Sequence, residues 1–180
     1  MLLSGAMLEH AKKRYSSALI HTLTENIFMS DPILEASESG WIAQHRELYR
    51  KDPEKGHMWD STVGGGPGPL PTLLLTTTGR KSGKESVMPL LYGKVDGGYA
   101  IIASKGGAPK HPGWYHNIKA QGKVGTQVAA DIFQANTRVA AGAERAKIWD
   151  QMVAMYPPFA DYKTAAGDRE IPVVVLEPIR

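Results

Sequence analysis

From Thr72 onward the chain is written in short β-forming runs separated by tight turns, and this rhythm restricts the fold more than any other feature. Thr72 to Thr78 is uncharged and rich in β-formers, Val87 to Val95 is a second run, and Asp96-Gly97-Gly98 reads as a hairpin turn into a third, Tyr99 to Ser104. Gly125 to Ala130 and Ile132 to Ala140 make another pair. Ile171 to Leu176 is a final buried strand ending before Pro178. Pro89 has no N–H to give a ladder, so its run is expected at an edge or bulge. Six such runs in hairpins, with helices at the start and between the late strands, predict a small antiparallel barrel: an α+β chain with a mainly β core. Helical spacing marks Leu8 to Phe28, Ala36 to Arg50, Pro112 to Ala120 and Ala143 to Met155. The last carries Ala146, Trp149, Val153 and Tyr156 on one stripe. Lys51 to Leu70 reads as a loop, because Gly64-Gly65-Gly66-Pro67-Gly68-Pro69 cannot hold regular structure. The expected organisation is an N-terminal helical extension over 1–40 and a barrel domain over 41–180.

Other architectures fail on spacing. No G-x-G-x-x-G opens a helix after the first strand, and Gly79 to Lys84 lacks the spacing of a P-loop. There are no cysteines, which excludes disulfides and a thiol nucleophile. The six histidines (His10, His21, His45, His57, His111, His116) form no HExxH, and no serine sits in a G-x-S-x-G elbow, so neither a zinc site nor a serine hydrolase is expected. No stretch approaches the roughly 18 apolar residues that span a bilayer. Met1 to Leu8 is too short for a secretory signal, and a cytoplasmic protein is expected.

Charge is unevenly placed. The whole chain is +3, yet Gly79 to Lys123 holds eight Lys and Arg against Glu85 and Asp96, a local +6. A field of that sign favours an anionic ligand. The cations sit among glycines rather than on a basic helix, so nucleic acid is not the expected partner. Two loops carry most of them. Gly79-Arg80-Lys81-Ser82-Gly83-Lys84 combines backbone freedom, a guanidinium fork for phosphate, point charges and a hydroxyl. Ser104-Lys105-Gly106-Gly107 repeats the theme after another strand, and Trp114 and Tyr115 follow on a helix start, suited to lining a ring pocket or plugging the barrel.

Leu73 to Gly83, Pro89-Leu90-Leu91-Tyr92, Ala103 to Asn117, and Tyr156-Pro157-Pro158-Phe159 with Tyr162, through Asp168-Arg169-Glu170-Ile171-Pro172 to Pro178, together resemble the deazaflavin-dependent nitroreductase family. The resemblance runs from about Trp41 to the C-terminus. It implies a split β-barrel of the flavin-reductase-like type, coenzyme F420, and reduction of quinones, nitro compounds or related acceptors. Carried over by motif, the cofactor's phosphate and polyglutamate tail belong near Arg80, Lys81, Ser82 and Lys105. Its ring belongs along Leu74, Leu75 and Thr76 and along Ile102, Ala103 and Ser104, with Gly113, Trp114, Tyr115, His116 and Asn117 closing one side. Tyr156 and Tyr162 should face the acceptor. With Ser104 they are candidate hydrogen-bond donors to a developing oxyanion, since a tyrosine is protonated at neutral pH. The chain departs from the family pattern at Ser86, where relatives often have arginine, and at Phe159, where some nitroreducing members have tyrosine. FMN is the alternative cofactor, and a non-catalytic cofactor- or ligand-binding protein is the alternative function. The basic, apolar-striped first helix suits peripheral membrane association or packing on the barrel or a partner subunit. Barrels of this kind are often homodimers.

Overall fold

The structure, a computed structural model, describes residues 40–179, and the compact unit that carries the barrel begins at Gln44. The expected Leu8 to Phe28 helix and the 1–40 extension lie outside the described residues. Helices α1 (Trp41–Lys51) and α2 (Pro53–His57) lead into strand β1 (Met58–Asp60) and a 3-10 turn at Ser61–Gly64. Strands β2 (Pro69–Thr78), β3 (Glu85–Val95) and β4 (Gly98–Ile102) follow. Helix α3 (Gly113–Gln121) precedes the hairpin β5 (Lys123–Val128) and β6 (Asp131–Val139). Helices α4 (Gly142–Met155) and α5 (Pro158–Ala165) then lead to β7 (Val173–Pro178).

Every pairing is antiparallel, in the order β1-β2-β3-β4-β7-β6-β5, and β2 also pairs with β5. That last ladder, Leu73–Thr76 against Gly125–Val128, closes six strands into the expected barrel. Closure removes the open edges that an antiparallel sheet would otherwise expose. Because cross-strand partners share a face and neighbours alternate, register sorts the side chains. Leu73 and Leu75 point inward with Tyr92, Ile101, Val124, Val174 and Leu176, where Trp114, Tyr115 and Ile118 of α3 meet them. The outward residues Ala100, Ile102, Val173 and Val175 are covered by Trp149 and Met152 of α4, Tyr156 and Phe159.

Several expectations need correction. The 51–70 segment is not a plain loop: Asp52 caps α2 by accepting from Lys55 N at 3.2 Å, and Met58–Asp60 pairs with Pro69–Pro71. A three-residue strand lies below the length at which alternation is readable. The buried stripe of α4 is Ile148, Trp149 and Met152; Ala146 is exposed. Of the expected Ala36 to Arg50 helix, residues 36–39 lie outside the described residues and α1 covers Trp41–Lys51; Tyr99 to Ser104 ends its ladder at Ile102, and Pro178 is still paired, with Ala135. The α5 helix is additional to the expected elements: Pro158 opens it at a position where its missing N–H costs nothing. Pro89 lies where β3 pairs with β2 alone, since β4 joins only at Tyr92, so the edge expectation is met locally.

Candidate functional site

Two antiparallel steps separate β2 from β4, so the two strands run in the same direction and deliver their loops to one end of the barrel. Helix α3 sits there and ties the first loop down. Asn117 is buried, donates from Nδ2 to Thr77 Oγ1 (3.2 Å) and accepts from Arg80 N (3.2 Å). One turn later Gln121 accepts from Thr78 N at 3.3 Å and donates to Thr78 O. Within the loop, Gly79 N donates to Lys84 O (2.7 Å), and Gly83 turns the chain at φ +68°. Arg80, Lys81 and Ser82 stay exposed on this fixed turn.

The second loop is held by a residue that the sequence did not single out for a role. Arg169 donates from Nε to Ala108 O (2.8 Å), from Nη1 to Ala103 O (3.2 Å) and from Nη2 to Ser104 O (2.6 Å), while Nη1 meets His111 Nδ1 at 3.2 Å. The contacts span about sixty residues of sequence, which no local pattern reveals. Ser104 is right-handed (φ −71°, ψ −44°), and Lys105, Gly106 and Gly107 all have positive φ (50°, 60°, 77°). A right-handed residue followed by a left-handed one turns successive amides toward one point, the geometry of an anion nest. No atom lies within 4 Å of where a Cβ on Gly106 would be, so a ligand can approach its backbone.

The loops share one electrostatic environment. Burial lowers the pKa of His116, and the charges of Arg80, Lys119 and Lys105 lower it further. Burial likewise lowers that of His111, helped by Arg169, His116 and Lys119. Arg80 and Lys105 from the two loops therefore bear on His116, Lys119 of α3 bears on both imidazoles, and the two rings are 5.9 Å apart.

The predicted ring-side residues divide between the faces. Leu75 and Ala103 belong to the barrel interior, as do Trp114 and Tyr115, which plug it. Leu74 and Thr76 face outward and line a groove of about 460 Å³ with Val87, Gly125 and Ile132. Ile102 faces outward beneath the helices, Ser104 is buried at the loop start, and Gly113 is exposed on the first turn of α3. Register sets Leu74 beside Pro89 and Thr76 beside Val87, and β4 stops at Ile102. The outer surface of β3 at Val87–Pro89 is thus flanked by Leu74 and Thr76 on one side, and on the other by the chain leaving β4 at Ser104.

The two candidate tyrosines differ. Tyr156 is buried among Trp59, Phe159 and Tyr162, and its hydroxyl donates to Gly64 O at 2.6 Å. Burial and the Tyr162 hydroxyl raise its pKa, so it stays protonated. Tyr162 is only half-buried, and its hydroxyl is 3.3 Å from that of Tyr156. Its backbone closes on the second loop: a Cβ on Gly107 would lie 2.8 Å from Tyr162 O.

Residues 48–178 match the family described as F420H(2)-dependent quinone reductase. The chain belongs to this family. It is an F420H2-dependent oxidoreductase, and its cofactor is F420. An F420H(2)-dependent quinone reductase of Mycobacterium tuberculosis is 38% identical over 114 residues, covering 61% of this chain and 75% of the relative. A solved structure of an F420-H2 dependent reductase is 45% identical, covers 59% of this chain and 93% of its own, and superposes with a TM-score of 0.54. Another, described as a domain-swapped dimer, is 40% identical with a TM-score of 0.55, covering 73% of this chain and 98% of its own. The residues present suit the family's cofactor. Exposed Arg80 and Lys81 on one fixed loop and half-buried Lys105 on the other match its anionic tail, the open backbone at Gly106 admits a phosphate oxygen, and the strip at Val87–Pro89 offers a floor for a flat ring.

Proposed function

We propose that this protein reduces a quinone-class acceptor with F420H2 on the outer face of the barrel, between Leu74–Thr76 and the Ser104 loop. The delivery of two anchored, cation-bearing loops to one end of the barrel, Arg80 N held by Asn117 and the Ser104 carbonyl held by Arg169, is the observation that carries the proposal. Arg80, Lys81, Ser82 and Lys105 grip the phosphate and acidic tail, Arg80 as a fork and the lysines as point charges. Bound there, F420H2 supplies a hydride; the protein supplies position and polarity. Ser104 and the Tyr162 hydroxyl present hydrogen-bond donors to the acceptor oxygen on which negative charge develops. Tyr156 acts one step behind. Its proton is committed to Gly64 O, so without an acceptor its oxygen takes the single Tyr162 proton, and that O–H turns from Tyr156 to the acceptor oxygen when the acceptor binds. His116, Asn117 and the α3 aromatics hold the floor and the loop rather than touch the acceptor.

Anaerobic mixing of F420H2 with the full chain and an acceptor panel tests this. Menadione should restore the visible absorbance of oxidised F420 at a rate that scales with protein, and Tyr162→Phe should lower kcat with little change in cofactor affinity. Absence of turnover with menadione, a nitroimidazole and an unsaturated lipid alike would contradict the proposal, and turnover of the nitroimidazole alone would redirect it to nitro compounds. The relative described as a domain-swapped dimer supports a homodimer here, which sedimentation will test. Among the described residues no helix is long and apolar enough to cross a membrane. Peripheral association through residues 1–40, in the cytoplasm, is checked by flotation of the full chain with liposomes.

A further inference from the structure

We infer that Arg169 is a positioning residue for cofactor binding: by holding the Ala103 and Ser104 carbonyls it aims the Ser104 and Lys105 amides at an anionic oxygen of the cofactor's phosphate. The inference rests on the assignment of F420 to this loop. A trans peptide is planar, with its C=O and N–H on opposite sides, and no described peptide is cis. Drawing the Ala103 oxygen to Nη1 (3.2 Å) therefore turns the Ser104 N–H away from the guanidinium, and drawing the Ser104 oxygen to Nη2 (2.6 Å) does the same for Lys105. Nε takes the Ala108 oxygen at 2.8 Å, so one planar fork gathers three carbonyl dipoles on one side of the loop. The partial positive ends of the first two peptides then face the other side, beside the open backbone at Gly106. Positive φ at Lys105, where a side chain disfavours it, is the cost of that arrangement. Lysine cannot replace the function, because a single ammonium lacks the fixed fork that reaches three acceptors.

The experiment compares the full-length wild type, Arg169→Lys and Arg169→Gln in fluorescence titrations with F420 and with the phosphate-free deazaflavin nucleoside. Wild type should bind F420 more tightly than the nucleoside. Both variants should lose about tenfold in F420 affinity, in the range of one hydrogen bond to a charged group, while nucleoside affinity stays within about twofold. Unchanged F420 affinity would overturn the inference, as would an equal loss for both ligands, which marks mere loosening of the loop. Failure of the wild type to bind F420 would instead overturn the assignment on which it rests. Should neither variant fold, amide chemical shifts of wild type decide. The Ser104 and Lys105 protons should move downfield with F420 and stay in place with the nucleoside. Silence of both with F420 would refute the proposal.

Discussion

The two cation-bearing loops at one end of the barrel are fixed by different physics. The 79–84 loop hangs on neutral side-chain amides, Asn117 and Gln121, two residues one turn apart on α3. The 103–111 loop is gathered around a guanidinium, carries three consecutive residues of positive φ and is packed against α5 through Gly107. The first is a surface turn with charges on display. The second is a strained, over-determined structure of the kind found where a ligand is held. Cations on both loops in sequence, +3 over 79–84 and +2 over 103–111, therefore conceal unequal rigidity, and the second loop should respond more sharply to small changes.

One substitution made in both loops gives the largest contrast. Gly107→Ala forces a Cβ to 2.7 Å from Ala165 Cβ and 2.8 Å from Tyr162 O at φ +77°. Backbone strain and overpacking together should cost about 3 kcal/mol or more, a fall in Tm of about 6–12 °C. Gly83→Ala has φ +68° but meets nothing within 4 Å, so about 1 kcal/mol of conformational cost is expected. Similar losses would erase the distinction. Next, Asn117→Leu strips the first loop of its buried tether and leaves Thr77 Oγ1 and Arg80 N without that partner. It should cost about 1–3 kcal/mol by thermal denaturation and weaken F420 binding by loosening Arg80. Retained stability would show that Gln121 suffices.

A smaller difference is pH dependence. Burial, then Arg169, His116 and Lys119, keeps the pKa of His111 below its ordinary value in the fold. The unfolded chain therefore takes up the proton first, near pH 6.5. The associated stability is present above that pH and is lost as pH falls through 6.5 toward the native value. His111→Gln should flatten the slope of Tm against pH between about 7 and 5, while His45, whose pKa burial lowers too, sustains part of it. An unchanged slope would remove His111 from the account. The smallest effect is salt: exposed Arg80, Lys81 and Lys84 are screened within about 8–10 Å at physiological ionic strength, so F420 affinity should decline with added salt.

Local β-forming composition and turn chemistry made the barrel legible. Asp96-Gly97 closes a two-residue hairpin, and Thr72–Thr78 lies in a strand with alternating faces. The loops' charges were equally open to view, and so was the plugging of the barrel by Trp114 and Tyr115. Long-range polar roles were hidden. Tyr49, with none of its surface exposed, donates to Thr72 O and accepts from Ala129 N across 80 residues, holding a turn in which Ala129 has φ +50°. Asn117 looked like a cofactor contact and spends both ends of its amide on the protein. Tyr156 looked like a free donor, yet its proton belongs to Gly64, on a segment the glycines disguised as featureless loop.

The central claim is that the two loops grip one anion. Fluorescence titration of F420 into wild type, Arg80→Ala and Lys105→Ala tests it most directly. Each substitution should raise Kd about tenfold, roughly 1.4 kcal/mol, although the two residues belong to different loops. A loss confined to one loop, or to neither, would contradict the account.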